Sequence, residues 1–269
     1  MSRAIASLGM YDHPGQRRAN DRLWAGIARR LDAHGIAVPA TLDRSRSVEA
    51  AWRDPTLLFG QICGYPLLSD PDLALRVIGV PVYDVPDCAA GQHVSHIVTR
   101  NDDPGTTLAD YRGRRAAINA RNSNTGHNLF RAAIAPLAHD GRFFDSVIET
   151  GSHRASVAAV ARGDAEIAAI DAVTHAALRR FEPDAAAGLR ILDVTAPSPT
   201  LPFVTARSTS IETVAALRIA LAEIIADPAL AEARDALFLT NIAPPDSDLL
   251  APIRAYETAA IAAGYPTLR

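Results

Sequence analysis

The sequence contains no lysine: all 27 of its basic side chains are arginine. That absence removes a Schiff-base lysine, a covalent pyridoxal phosphate linkage and a P-loop lysine under a nucleotide phosphate. Cysteine is nearly as scarce, with only Cys63 and Cys88 present. Two cysteines do not make a disulfide scaffold, and the sequence leaves open whether they pair. No apolar run approaches the roughly 20 residues that span a bilayer, so no membrane insertion is expected. The formal charge is −3 and the arginines are scattered, which argues against a surface for nucleic acid. A Gly-x-Ser-x-Gly elbow is missing. The 8 histidines include no i, i+4 pair and no tight Cys/His spacing, and His93 and His96 on one strand-like run would point to opposite faces. No nucleophilic triad and no metal site is therefore assigned, and no cofactor.

What remains is a chain of 269 residues, 48% hydrophobic, long enough for one large α/β domain or two lobes. Strand-length apolar runs alternate with helical patterns, as in α/β folds with largely parallel sheets. A first strand reads at 4–10. Leu23, Trp24, Ile27, Ala28 and Leu31 then share a helical face that Gly35 stops. Extended runs follow at Ile36–Leu42, Leu57–Gln61 and Leu75–Val82, with a short helix near Val48–Trp52. Trp24 and Trp52 are expected in the core.

From Val94 a regular series begins. Strand Val94–Arg100 precedes strand Ala116–Asn119, helix Gly126–Leu137, strand Val147–Thr150, helix His153–Arg162, strand Ile167–Ile170, helix Val173–Phe181 and strand Leu189–Thr195. Ala196–Pro202, with three prolines, predicts no regular structure. The C-terminal part reads as helices, with a capping box at Thr209–Glu212, a start at Asp227-Pro228 and a last helix closed by Gly264.

The stretch Asn119–Asn128 is a polar, glycine-containing turn that runs directly into an apolar helix. Free N–H groups and small hydroxyls at a helix start suit an anion, although such turns often only cap their helix. Other polar or aromatic loops follow strands: Tyr11-Asp-His13, Gln61–Tyr65, Tyr83-Asp84, Gly151-Ser-His153 and Asp171. In open α/β sheets ligands bind beyond such strand ends. Ser152 and Asp171 also read as N-caps.

Val94–Arg100 leading to Leu108–Ile118, the Asn122-Ser-Asn-Thr-Gly126 turn, Glu149–Arg154 and Val157–Asp171 together resemble the phosphate/phosphite/phosphonate substrate-binding proteins of ABC importers. The resemblance implies a two-lobed periplasmic-binding-protein-like fold of type II, each lobe a mixed, mostly parallel sheet flanked by helices. Lobe I would comprise residues 1–97 and 203–269, and lobe II the inserted residues 98–202. Hinge crossings would fall near Val94–Arg100 and Thr195–Phe203, with the ligand in the cleft between lobes. Carried over by position, the anion-holding turn becomes Asn122, Ser123, Asn124, Thr125 and Gly126, followed here by His127. The cleft histidine becomes His153 and the strand-end acid Asp171. Tyr65 and, with a weaker match, Tyr11 would supply the opposing wall, with Gln61 beside them. The turn reads Ser-Asn-Thr where phosphonate binders usually carry Ser-Thr-Ser.

The expected function is capture of a small polar, anionic ligand, phosphonate- or phosphate-like, by a monomer that delivers it to an ABC permease. The N-terminus shows no charged segment ahead of a secretory apolar core, so the chain reads as cytoplasmic where the resemblance implies a periplasmic protein. The rival readings are a cytoplasmic enzyme on the same two-lobed fold, of dehydratase or lyase type, and a cytoplasmic ligand sensor.

Overall fold

The computed structural model describes residues 4–269. The chain divides into two compact α/β units, one made of residues up to 84 with 199–249 and the other of residues 85–198 with 250–269.

The first unit is built on a five-stranded sheet in the order Ile5–Ser7, Leu57–Gln61, Phe203–Ala206, Leu75–Tyr83, Leu239–Ala243. Ile5–Ser7 and Leu57–Gln61 run parallel, whereas Phe203–Ala206 is antiparallel to both its neighbours and Leu239–Ala243 is antiparallel to Leu75–Tyr83. The helix Arg17–Ala33 buries Leu23, Trp24, Ile27 and Leu31, the stripe the sequence predicts, and packs against the helices Ile211–Ala226 and Ala231–Ala236. Its chain reverses at Gly35, whose φ of +71° is the left-handed conformation glycine adopts without Cβ strain. Trp24 stacks on Phe59 with centroids 5.8 Å apart, and its indole N–H donates to the Pro39 carbonyl at 3.1 Å. Trp52 is buried with Ile5, Leu57, Leu75 and Val204 and donates to the Gln61 carbonyl at 2.9 Å. Both tryptophans therefore meet the condition for burying an indole, a partner for its only donor.

The second unit carries a five-stranded sheet in the order Ser146–Glu149, Arg115–Ile118, Ile167–Asp171, Ser95–Arg100, Leu189–Val194. Its first three strands are parallel, joined by the crossover helices that the alternating pattern predicts, and Ser95–Arg100 is antiparallel to both neighbours. Helices His153–Arg162 and Ala172–Phe181 follow the sequence reading closely. One core cluster gathers Ile97, Tyr111, Phe130, Phe144 and Ile167, and another Val98, Val157, Val160, Ile170 and Leu178.

Several expectations are corrected. The sheets are mixed, as expected, but among the described strands antiparallel pairings outnumber parallel ones. Ile36–Leu42 forms no strand: Pro39 lies in it, and its carbonyl serves the Trp24 indole. The first strand stops at Ser7 and gives way to a 3-10 turn, Gly9–Tyr11. A helix at Gly64–Ser69 and strands at Phe203–Ala206 and Leu239–Ala243 were not expected, and Ser198 belongs to a two-residue strand, Ser198–Pro199, inside the stretch predicted to be irregular.

The unit boundaries also differ from 97/98 and 202/203, and the last helix is not part of the first unit. The helix Ala251–Ala262 and the residues after it belong to the second unit's core, where Ala260, Tyr265 and Leu268 are buried with Phe130 and Phe143. The Asn128 amide donates to the Ile253 carbonyl at 3.1 Å and Arg131 to the Pro266 carbonyl at 2.7 Å. The Phe143 N–H donates to the Arg269 carbonyl at 2.7 Å. The apolar spacing of that helix is visible in the sequence, but nothing local says which core it joins.

Candidate functional site

The polar turn of the second unit starts its helix wider than an α-helix would. Asn124–Asn128 is a π-helical turn, with the Asn128 N–H donating to the Ser123 carbonyl at 3.0 Å, and it continues into the α-helix Leu129–Ile134. Ser123 caps it, its hydroxyl accepting from the Gly126 N–H at 3.0 Å. Single π turns inside helices often mark functional positions. The turn is held from several sides. The Ser95 hydroxyl donates to the Thr125 carbonyl at 2.8 Å, and the Asn124 amide donates to the Ser198 hydroxyl at 2.7 Å. Asn128 donates to the Asn124 side-chain oxygen at 3.2 Å and accepts from Arg131 at 2.8 Å.

Gly126 is the point of closest approach. A Cβ there would meet Asn119 Oδ1 at 1.8 Å and His153 Cε1 at 3.1 Å, so the position accommodates no side chain without displacing a neighbour. Thr125 is 3% exposed, and its backbone N–H belongs to the first turn, whose donors have no acceptor within their own helix. Its hydroxyl lies 3.0 Å from His153 Nε2.

His153 opens the helix His153–Arg162, whose N-terminus is capped by the Ser152 hydroxyl accepting from the Ala155 N–H at 3.1 Å. Its Nδ1 faces the end of the neighbouring strand, where the Asp171 N–H approaches to 3.5 Å. Burial holds the His153 ring below the ordinary imidazole range, against the upward pull of the Asp171 carboxylate and the Ala169 carbonyl. Asp171 is 1% exposed. One of its oxygens caps the helix Ala172–Phe181 by accepting from the Thr174 N–H at 2.9 Å, and the other stands 2.9 Å from His93 Nδ1. Burial alone would raise the Asp171 carboxyl, but His93, His153 and the Thr174 N–H together bring it down to about 2. Two buried polar atoms at this end of the unit, Asn119 Oδ1 and His93 Nε2, have no hydrogen-bond partner among the described residues.

The arrangement is one of fixed donors and neutral rings around a buried turn. The chain matches a family model for the periplasmic substrate-binding protein of phosphonate ABC transporters over residues 67–250. The chain belongs to that family. Comparison with curated proteins gives no match. Solved structures share the fold at low identity. A binding-protein component of an ABC phosphonate transporter from Pseudomonas aeruginosa is 16% identical, covers 98% of this chain and 88% of its own, and superposes with a TM-score of 0.76. PhnD1 from Prochlorococcus marinus, solved with methylphosphonate, is 12% identical with a TM-score of 0.71 over 95% of this chain and 97% of that one. A Xanthomonas citri protein bound to ATP is 15% identical with a TM-score of 0.71 over 98% of both.

As a substrate-binding protein of this family, the chain brings together in its second unit Ser123, Asn124, Thr125, Gly126, His153 and Asp171, all expected from the sequence. Asn122 precedes the capped turn and is exposed. His127 is 6% exposed and held down at about 4, first by burial and then by Arg131 and Arg121, so it sits in the turn as a neutral ring. Arg154 pairs with Glu182 at 2.5 Å, and Arg121 lies 3.9 Å from Glu149.

In the first unit, Gln61 donates to the Tyr83 hydroxyl at 2.8 Å and to the Leu201 carbonyl at 3.0 Å. Tyr11 meets Tyr83 edge to face at 5.6 Å, so Gln61, Tyr11 and Tyr83 form one cluster. Tyr65 lies in the helix Gly64–Ser69 and is 8% exposed. The sequence reading missed two partners. The sequence pattern gives His93 no role beyond one of a pair on a strand, yet its ring faces Asp171. Asn119 marks only the edge of the turn in the sequence, yet its amide covers Gly126. Cys63 and Cys88 lie in different units and are not joined by a disulfide, and burial pushes the Cys88 thiol up to about 11.

Among the described residues, no helix is long and apolar enough to cross a membrane, and no group of three or more His, Cys, Asp or Glu is arranged to hold a metal ion.

Proposed function

We propose that the chain binds a small phosphonate- or phosphate-like anion at the Ser123–Gly126 turn, without turnover, and hands it to an ABC permease. The observation that carries this reading is Thr125. Its N–H lies in the first turn, where a helix leaves donors without intrahelical acceptors, and it sits beside a hydroxyl already fixed by a histidine. A tetrahedral anion presents acceptor oxygens to both groups and meets the N-terminal end of a helix, where the dipole favours negative charge.

Neutral hydrogen-bond donors suit this task better than cations would. His153 and His127 are depressed by burial, so at neutral pH the turn holds an anion by directed hydrogen bonds, and the ligand can leave again when the protein delivers it. Asp171 organises the site from behind: it caps one helix and faces His93. Tyr11, Gln61 and Tyr65 are proposed as further ligand-binding residues.

The test is thermal unfolding of the purified protein against methylphosphonate, phosphate, phosphite, methanesulfonate and small carboxylates. A ligand at about 100 times its dissociation constant adds roughly 2.7 kcal/mol of stability. A saturable shift with one phosphorus oxyanion, and that compound recovered unchanged, is the expected result. No shift with any phosphorus oxyanion, or recovery of a converted compound, would overturn the reading.

A further inference from the structure

A second group of polar residues in the second unit lies outside the turn and belongs to none of the assignments above. His96 Nε2 is 3.1 Å from Asp87 Oδ2, and His96 Nδ1 is 2.7 Å from His175 Nδ1. The two rings meet edge to face with centroids 5.0 Å apart, and both are buried, at 4% and 5% exposure.

The protons of this chain follow from the geometry. A contact of 2.7 Å between two nitrogens holds one proton, so one ring donates and the other accepts. The Asp87 carboxylate accepts from His96 Nε2, which leaves His96 Nδ1 with its lone pair and makes His175 Nδ1 the donor. His175 is then a neutral ring whose other nitrogen, Nε2, is an acceptor. Burial depresses both rings, which agrees with that assignment.

His175 also lines a cavity of about 490 Å³, within the size range of small-molecule sites. Arg179, Pro183, Leu189, Arg190 and Ile191 are among the residues that line it with His175, and no acidic residue is. Neither arginine has a carboxylate partner among the described residues. Arg190 donates to the backbone carbonyls of Asp103, at 3.1 Å, and Gly105, so its charge is anchored but not neutralised. Because His175 is neutral and the Arg190 side chain leaves the strand Leu189–Val194 by the face opposite to Leu189 and Ile191, the positive charge at the cavity comes from Arg179.

We propose that this cavity is a second ligand site, taking a small carboxylate with an apolar body. Its carboxylate pairs with Arg179, its apolar part lies along Leu189 and Ile191, and His175, held in one tautomer by Asp87 and His96, forms a fixed polar wall. Arg179 is exposed and free to turn toward a ligand, and guanidinium is the cation best shaped to hold a carboxylate by two parallel hydrogen bonds. The site shares no residue with the Ser123–Gly126 turn.

The experiment is a titration with phenylacetate followed by long-range proton–nitrogen spectra of the histidine rings, on the wild type and on Arg179→Gln, with 2-phenylethanol as the uncharged control. The expected result is a saturable shift of the His175 and His96 ring signals by phenylacetate. It should be at least tenfold weaker for 2-phenylethanol and for Arg179→Gln, whose unchanged His153 signals show that the variant is folded. Shifts confined to His127 and His153, no saturable shift at His175, an unaltered titration in Arg179→Gln or equal binding of the alcohol would each overturn the proposal. None of these outcomes bears on phosphonate binding at the turn, which the thermal series reads separately.

Discussion

Thr125 Oγ1 and His153 Nε2 lie 3.0 Å apart, so the hydroxyl in the centre of the turn has one of its hydrogen-bonding directions fixed by the first residue of another helix. That places His153 behind Thr125 as a positioning residue. Replacing it with alanine frees the hydroxyl to rotate while leaving the Ser123 cap intact. His153→Ala is expected to weaken methylphosphonate binding about tenfold, the worth of roughly one neutral hydrogen bond, with the circular dichroism unchanged. Calorimetric titration checks it; wild-type affinity in the variant would remove His153 from the site.

The turn itself can be tested without disturbing the core. In the double substitution Ser123→Ala with Thr125→Ala, loss of the Ser123 cap costs about 1 kcal/mol of stability. Loss of the Thr125 hydroxyl removes a ligand donor. The expected outcome is a folded protein with a slightly lower Tm and no methylphosphonate binding that calorimetry can detect. Unchanged affinity would show that the ligand sits elsewhere.

Gly126 and Asn119 make a sharper pair. A methyl group at Gly126 would lie 1.8 Å from Asn119 Oδ1 and 2.9 Å from its Cγ, so the amide has to move. Gly126→Ala is expected to destabilise by about 1–3 kcal/mol, the usual range for overpacking. Adding Asn119→Ala should restore most of that loss, because the remaining neighbour, His153 Cε1 at 3.1 Å, gives by a few tenths of an ångström. Urea unfolding of the single and double variants measures the coupling, and additive losses would refute the contact.

The sequence made the alternating core of the second unit legible because each of its elements announces itself locally. Arg115–Ile118 and Ile167–Asp171 are short apolar runs, and His153–Arg162 and Ala172–Phe181 have a capping residue and a helical stripe. The turn was legible for the same reason. What was hidden depends on contacts distant in the chain. Phe203–Ala206 is a strand because Leu57–Gln61 and Leu75–Tyr83 leave a place between them. Ala251–Ala262 joins the second unit because Tyr265, Leu268 and the Arg269 carbonyl find partners there. His93 matters only because its ring reaches Asp171, 78 positions further on, and no local pattern carries that information.

The buried histidines give the stability a defined pH dependence. His127 and His175 are each held near 4 where a free imidazole titrates near 6.5, by burial first, and then by Arg131 and Arg121 for His127 and by the His96 ring and Arg179 for His175. In the unfolded chain these rings take up protons as the pH falls through 6.5, while in the folded protein they do not until about 4. Their contribution is therefore fully present above pH 6.5 and is lost between about pH 6.5 and 4, by at most roughly 3 kcal/mol per ring. Asp171 has the opposite chemistry and a lower window: brought down to about 2 from 3.8, it contributes stability above pH 4 that is lost only as the pH falls toward 2. Urea unfolding at pH 7, 5.5 and 4.5 is expected to show a steady loss. The double variant His127→Asn with His175→Asn should flatten most of that slope, with a remainder due to His96 and His153, whose rings are depressed for the same reason. A slope unchanged by both substitutions would mean that these two rings are hydrated or already charged in the native protein.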